Sequence, residues 1–143
     1  MTKRVVVATD GSKAASRAVD FAATVAKAWD AELIVLTIST ALSPAELREL
    51  AQVDHDLGIA TDTLVRRILD DATARATQHG VAEIRTLSMS GDPANATLKL
   101  ARDEHADLIV VGRRGLGGLS RLLLGSVSEK IVTRAPCAVT VVP

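Results

Sequence analysis

Apolar residues along this chain fall into two alternating patterns, short unbroken runs and longer helical stripes. Val5-Val6-Val7-Ala8 shows no polar alternation, so Arg4 to Thr9 reads as a strand buried on both faces. Asp10-Gly11-Ser12 turns the chain, and Ser12 is placed to cap a helix over about 13–29. On that helix Ala15, Ala18, Val19, Ala22, Ala26 and Trp29 recur at three- and four-residue spacing and predict one buried face. Leu33-Ile34-Val35-Leu36-Thr37-Ile38 is a second buried strand. Ser43-Pro44-Ala45-Glu46 then carries a cap, a first-turn proline and the glutamate of a capping box.

That helix is expected to break near Gly58, and a longer one to restart about Asp62 with Leu64, Val65, Ile68, Ala72 and Ala76 in line. His79-Gly80 ends it as a glycine cap. The Ser39–Gly58 segment reads as a mobile insertion over the site. A more polar strand, about Glu83 to Met89, belongs nearer a sheet edge. Gly91-Asp92-Pro93 opens the next helix, which closes at His105. Asp107 to Val111 forms the fourth strand, a helix covers about 127–134, and Cys137 to Val142 forms the fifth strand. Strands alternating with helices imply a parallel sheet covered on both faces. Ligands of such sheets bind beyond the carboxyl ends of the strands, where the strand order reverses.

Composition narrows the function. The 143 residues fit one domain, 1–143, and include one Trp, one Phe and no Tyr, which argues against a single-strand nucleic-acid binder built on stacking. Lys and Arg balance Asp and Glu at 17 each, so no net field recruits DNA or an anionic membrane. No apolar run is long enough to enter a bilayer as a span, no secretory pattern opens the chain, and the single cysteine suits a reducing compartment. A cytoplasmic location is the expectation.

The chemistry concentrates after the fourth strand. Gly112-Arg113-Arg114-Gly115 is followed by nine residues and then Gly125-Ser126, with Ser126-Val127-Ser128-Glu129 reading as a capping box for the last helix. Glycines let backbone approach phosphate oxygens, and the first-turn N–H groups and helix dipole favour an anion. A nucleotide phosphate site is the reading. Asp10, just past a strand end, is placed for a ribose or a metal ion. Arg113 and Arg114 suit a phosphate clamp, although solvated loop arginines are the commoner case. The three histidines and Cys137 read as structural.

At these residues the chain resembles the universal stress protein family over essentially its whole length. Gly112, Gly115, Gly125 and Ser126 fill the glycine motif of its nucleotide-binding branch. Leu119-Ser120-Arg121-Leu122-Leu123-Leu124, Ala135-Pro136-Cys137, Thr9-Asp10-Gly11-Ser12 and Gly91-Asp92-Pro93 also look like the family. The resemblance implies an α/β fold, a single doubly wound five-stranded parallel sheet of order 3-2-1-4-5 with helices on both faces (adenine nucleotide alpha-hydrolase-like). It implies ATP or another adenine nucleotide with Mg²⁺ on the phosphates, held by Ala8, Thr9, Asp10, Thr37, Ile38, Val111, Gly112, Arg113, Gly115, Gly125, Ser126, Val127 and Ser128, with Asp10 at the metal. Adenine is read by the backbone at Ile38; Thr37 stands where many relatives carry histidine. A homodimer through Cys137–Val142 and a further protein partner complete the picture.

The function expected is a nucleotide-dependent regulatory protein. The alternatives are a slow Mg²⁺-dependent ATP hydrolase or phosphotransferase, and a nucleotide-independent interaction module. Against an enzyme, no general base stands near the loop and no lysine occupies a Walker position: Gly11-Ser12-Lys13 has no glycine five residues before Gly11, and Ser120 replaces the last glycine of a dinucleotide fingerprint.

Overall fold

The computed structural model describes residues 2–113 and 125–143. Five parallel strands, β1 (Arg4–Ala8), β2 (Glu32–Ile38), β3 (Ile84–Met89), β4 (Leu108–Gly112) and β5 (Ala138–Val142), lie in the order 3-2-1-4-5. Five helices connect or flank them: α1 (Lys13–Trp29), α2 (Pro44–Asp54), α3 (Leu57–Gln78), α4 (Pro93–Asp103) and α5 (Ser126–Arg134). The central strands are apolar throughout because both of their faces are covered.

Strand parity sorts the core into two layers. Val5, Val7, Leu33, Val35, Leu108 and Val110 face α1 and α3, which present small residues, Ala18, Ala22, Ala26, Ala72 and Ala76. Val6, Ala8, Ile34, Leu36, Ile38, Ile109 and Val111 face the opposite way, toward Ala94, Leu98 and Ala101 of α4 and Ile131 of α5. Alanine-rich faces let the helices sit close on the branched side chains of the sheet. β3 is the polar edge anticipated from its composition, and β5 forms the other edge.

Helix starts follow local chemistry. Ser12 accepts a hydrogen bond from the Ala15 amide at 3.1 Å, Ser43 from Glu46 at 3.3 Å and Asp92 from Asn95 at 2.9 Å. Three expectations need correction. The break after α2 falls at His55, which is left-handed at φ 56°, and α3 begins at Leu57 rather than about Asp62. Asp56 causes this, because its Oδ1 accepts from the Gly58 amide at 2.8 Å and the Ile59 amide at 3.2 Å. Ser39–Gly58 folds as a 3₁₀ turn (Ser39–Ala41) and α2, and Leu42, Leu47 and Leu50 pack with Leu64 and Ile68 of α3. Trp29 leaves the buried face of α1, being 41% exposed with Lys3 Nζ 4.9 Å from its ring centre.

Under the amino edge of the sheet, Arg85 of β3 grips two carboxylates. Its Nη1 and Nη2 donate to Glu104 at 2.9 and 2.7 Å, and Nη2 also reaches Glu32 at 3.0 Å. The Arg85 hydrogen bonds hold the Glu104 carboxyl below its ordinary range. A carboxyl depressed in the folded state contributes stability that is complete above its unfolded pKa, about 4.3, and lost as pH falls through the lower folded value. Thermal midpoints should therefore drop on acidification below about pH 5. In Glu104→Gln that drop should be smaller, and an unchanged pH profile would exclude Glu104 as a contributor.

Candidate functional site

β1 and β4 are neighbours in the middle of the sheet, and the chain leaves them side by side. From β1 come Thr9, Asp10 and Gly11; from β4 come Gly112 and Arg113. The order reverses between these two strands, so their carboxyl ends diverge into connections on opposite faces and leave a crevice.

The β1 end is fixed by a dense set of bonds. Thr9 is buried, its amide donates to the Leu36 carbonyl at 2.9 Å, and its Oγ1 accepts from the Gly11 amide at 3.1 Å. Thr37, fully buried, donates its hydroxyl to the Thr9 carbonyl at 2.7 Å. The Thr37 side chain thus ties β2 to β1 and has no proton left for a ligand. Ile38 is buried beside it and pairs in register with Met89. Asp10 is half-buried, with Oδ1 accepting from the Ser12 amide at 2.9 Å. Asp10 also lines a crevice of about 300 Å³, together with Gly11, Ser12, Leu42, Ser43 and Glu46. That volume sits at the small end of ligand pockets. The stretch from Leu42 to Glu46, part of the segment expected over the site, lines this crevice, and the Ser43 cap fixes the start of α2 there.

The β4 end is tied to α5. Gly112 is buried and pairs with Val142; the Arg113 amide donates to the Val142 carbonyl at 2.7 Å. The Gly125 amide donates to the Arg113 carbonyl at 3.0 Å, which closes the base of the loop. Arg113 Nε is shielded from solvent and has no hydrogen-bond partner among the described residues. Gly115, Arg114 and the stretch Leu119–Leu124 lie outside the described residues.

The capping box read at Ser126 is not formed. Gly125 is the N-cap, Ser126 is the first helical residue and exposed, and no side chain among the described residues caps the helix. The serine that matters locally is Ser128. It is buried, and its Oγ shares one proton between the Gly112 carbonyl at 2.9 Å and the Arg113 carbonyl at 3.1 Å. Removing a buried donor strands its acceptors, whereas removing an exposed hydroxyl changes little. Ser128→Ala should lower unfolding free energy in urea by about 1–2 kcal/mol, and Ser126→Ala by less than about 0.5 kcal/mol. Equal losses would refute this division of roles.

Among the described residues no acceptor meets the Ser126 and Val127 amides in the first turn of α5, an anion-favouring arrangement. Lys130, one turn on, pairs with the α4 cap Asp92 at 3.3 Å; the Asn95 amide, with Lys130 second, keeps that carboxyl depressed. A wider groove of about 520 Å³ runs along α3 past Ile59, Asp62, Arg66 and Asp70. Among the described residues no cluster of three metal-ligating side chains occurs, and no helix is long and apolar enough to cross a membrane.

Comparison with known proteins gives this arrangement its family. The model of the universal stress protein family matches residues 1–143. The chain belongs to the universal stress protein family. Universal stress protein Rv1636 of Mycobacterium tuberculosis is 39% identical over 142 residues, spanning 98% of this chain and 95% of the relative. Universal stress protein YxiE of Bacillus subtilis is 32% identical over 148 residues, spanning 99% of each. Among solved structures, a universal stress protein in complex with cAMP superposes with a TM-score of 0.75 at 33% identity, covering 99% of this chain and 96% of the other. The strand order and the doubly covered sheet are those implied by the family resemblance.

Proposed function

We propose that this universal stress protein binds an adenine nucleotide at the carboxyl ends of β1 and β4 and acts as a nucleotide-dependent regulator of the stress response. One observation carries the reading: Asp10 follows β1 and Gly112 ends β4, neighbouring strands between which the order reverses, and Ser128 in the first turn of α5 bonds the Gly112 carbonyl. A relative of the same fold and 33% identity that is complexed with cAMP supports the choice of an adenine ligand.

ATP with Mg²⁺ is the form proposed. Mg²⁺ is held by one or two carboxylates together with substrate phosphates, and Asp10, with one oxygen outside its turn, suits that donor set. The amides of Ser126 and Val127 and the backbone of Gly112 and Gly115 take the phosphates, while the Gly125 amide stays on the Arg113 carbonyl and its lack of a side chain leaves room for them. Ala8, Thr9, Val111 and the Ile38 backbone line the nucleoside side, and Arg113 offers a charge to the phosphates. Thr37 and Ser128 enter this reading through their positions, because their hydroxyls are committed to backbone carbonyls. The unpaired edge of β5 pairs with its twin in a homodimer, which removes an exposed strand edge. Ligand shifts the loop only through differential affinity for its states.

The test is thermal unfolding with millimolar ATP, ADP, AMP, cAMP and GTP, with and without Mg²⁺. A ligand at 100 times its Kd adds about 2.7 kcal/mol of stability. Adenine nucleotides should raise the midpoint and GTP should not. No shift with any adenine nucleotide would defeat the proposal and favour a nucleotide-independent interaction module.

A further inference from the structure

The glutamate that the sequence places in a capping box at the start of α2 does not close the box. Ser43 Oγ accepts from the Glu46 amide at 3.3 Å, but among the described residues the Ser43 amide gives the Glu46 carboxylate no bond in return. Neither a hydrogen-bond donor nor a salt-bridge partner meets that carboxylate among the described residues. Its direction follows from helix geometry. Side chains on a helix lean toward its amino end, and Glu46 is the third residue of α2, so it leans over Ser43 toward the strand ends. There it lines the crevice of about 300 Å³ that Asp10 and Ser12 line from the β1 turn. The helix beneath it is fixed, since Leu47 and Leu50 pack with Leu64 and Ile68 of α3. Arg67 lines a smaller neighbouring pocket with Glu46 and forms no ion pair with it.

We infer that Glu46 reads the sugar of the bound nucleotide: its carboxylate accepts from the ribose 2′- and 3′-hydroxyls, so the crevice selects ribonucleotides with both hydroxyls free. The inference rests on the adenine-nucleotide site proposed above and adds a sugar contact from α2. In that site the base lies at the end of β2 and the phosphates at the ends of β4 and α5. β1 stands between β2 and β4 in the sheet. With strands about 4.8 Å apart, the β2 and β4 ends are roughly 10 Å from each other. The sugar joining base to phosphates therefore falls over the turn after β1, where the crevice opens.

The donor and acceptor chemistry matches. An ionised carboxylate only accepts, and its two oxygens suit the paired donors of a cis diol. Hydrogen bonds to a charged acceptor are roughly twice as strong as neutral ones. Acidic side chains select ribose in dinucleotide sites through the same 2′-hydroxyl bond. Asp10 is less suited to this task, because one of its oxygens is held by the Ser12 amide and the other is assigned to Mg²⁺. Leu42 and Pro44 flank Ser43 on the α2 wall with apolar surface, so Glu46 is the charged acceptor on that side.

Calorimetric titration of the full chain with ATP, 2′-deoxy-ATP and 3′-deoxy-ATP, each with Mg²⁺, tests this. Wild type should bind ATP about tenfold more tightly than either deoxy analogue. Glu46→Ala should lose about tenfold in ATP affinity and keep its affinity for the analogues within about twofold, so the preference disappears. Glu46→Gln, which keeps the side-chain length and one oxygen acceptor, should fall between the two and serves if the alanine variant does not fold. Glu49→Ala, at an exposed carboxylate farther along α2, should keep the wild-type preference. Equal wild-type affinities for the three ligands would overturn the sugar contact and leave the nucleotide site standing. So would a preference that survives in both Glu46 variants, or a loss in them that is the same for all three ligands. Failure of wild type to bind any of the three would overturn both readings.

Discussion

Gly125→Val should cut affinity for ATP by about a hundredfold or more while leaving the protein folded. The reasoning starts from backbone conformation. Gly125 sits at φ −64°, ψ 157°, an extended geometry that valine adopts without strain. Its amide bond to Arg113 and its carbonyl bond from Glu129 at 2.9 Å are backbone contacts that a side chain does not remove. The fold therefore does not need glycine here for its torsion angles. What a branched side chain takes away is space in front of the first-turn amides of α5, where a phosphate must approach closely. Calorimetric titration with ATP against wild type, paired with thermal midpoints, separates the two effects. A variant that binds ATP as its parent does would remove the phosphate site from the α5 terminus.

The architecture was legible because each central strand is an unbroken branched-apolar run and each connection carries a helix stripe. Strand order was not readable from those runs; it followed from the family motif at Gly112 and Gly125. What escaped the sequence was decided by competing hydrogen bonds. Asp56 overrode Gly58 as the breakpoint because a carboxylate with two amide partners caps a helix more firmly than glycine ends one. Ser126 and Ser128 exchanged roles because the loop base brings two carbonyls within reach of position 128, a tertiary fact no local spacing encodes. Thr37 reads on the sequence only as a substitution for histidine; its bond to Thr9 depends on parallel pairing of β1 and β2. Trp29 matched the helix period, but it is the last residue of α1 and stands 41% exposed beside Lys3, so periodicity overstated the buried face.

Gly11→Val should lower unfolding free energy by about 3–5 kcal/mol, the largest stability loss expected of a single change beside the site. Two independent costs meet at this residue. Its φ is +83°, a region where branched side chains are rarely found, at a cost of about 1–3 kcal/mol. A Cβ there would also lie 2.9 Å from Cγ1 of Ile68, a buried α3 residue held by Leu42 and Leu64. Gly91 separates the two terms, since its φ is +103° but nothing lies within 4 Å of an added Cβ. Gly91→Ala should show the torsional cost alone, about 1–2 kcal/mol, and Gly11→Ala more. If steric contact with Ile68 is the excess, then Gly11→Ala combined with Ile68→Ala should cost less than the sum of the two single changes. Strict additivity in a urea double-mutant cycle would assign the whole loss to backbone torsion. Because Gly11 connects Asp10 to the N-cap Ser12, the same close packing on α3 sets where the Asp10 carboxylate stands at the crevice.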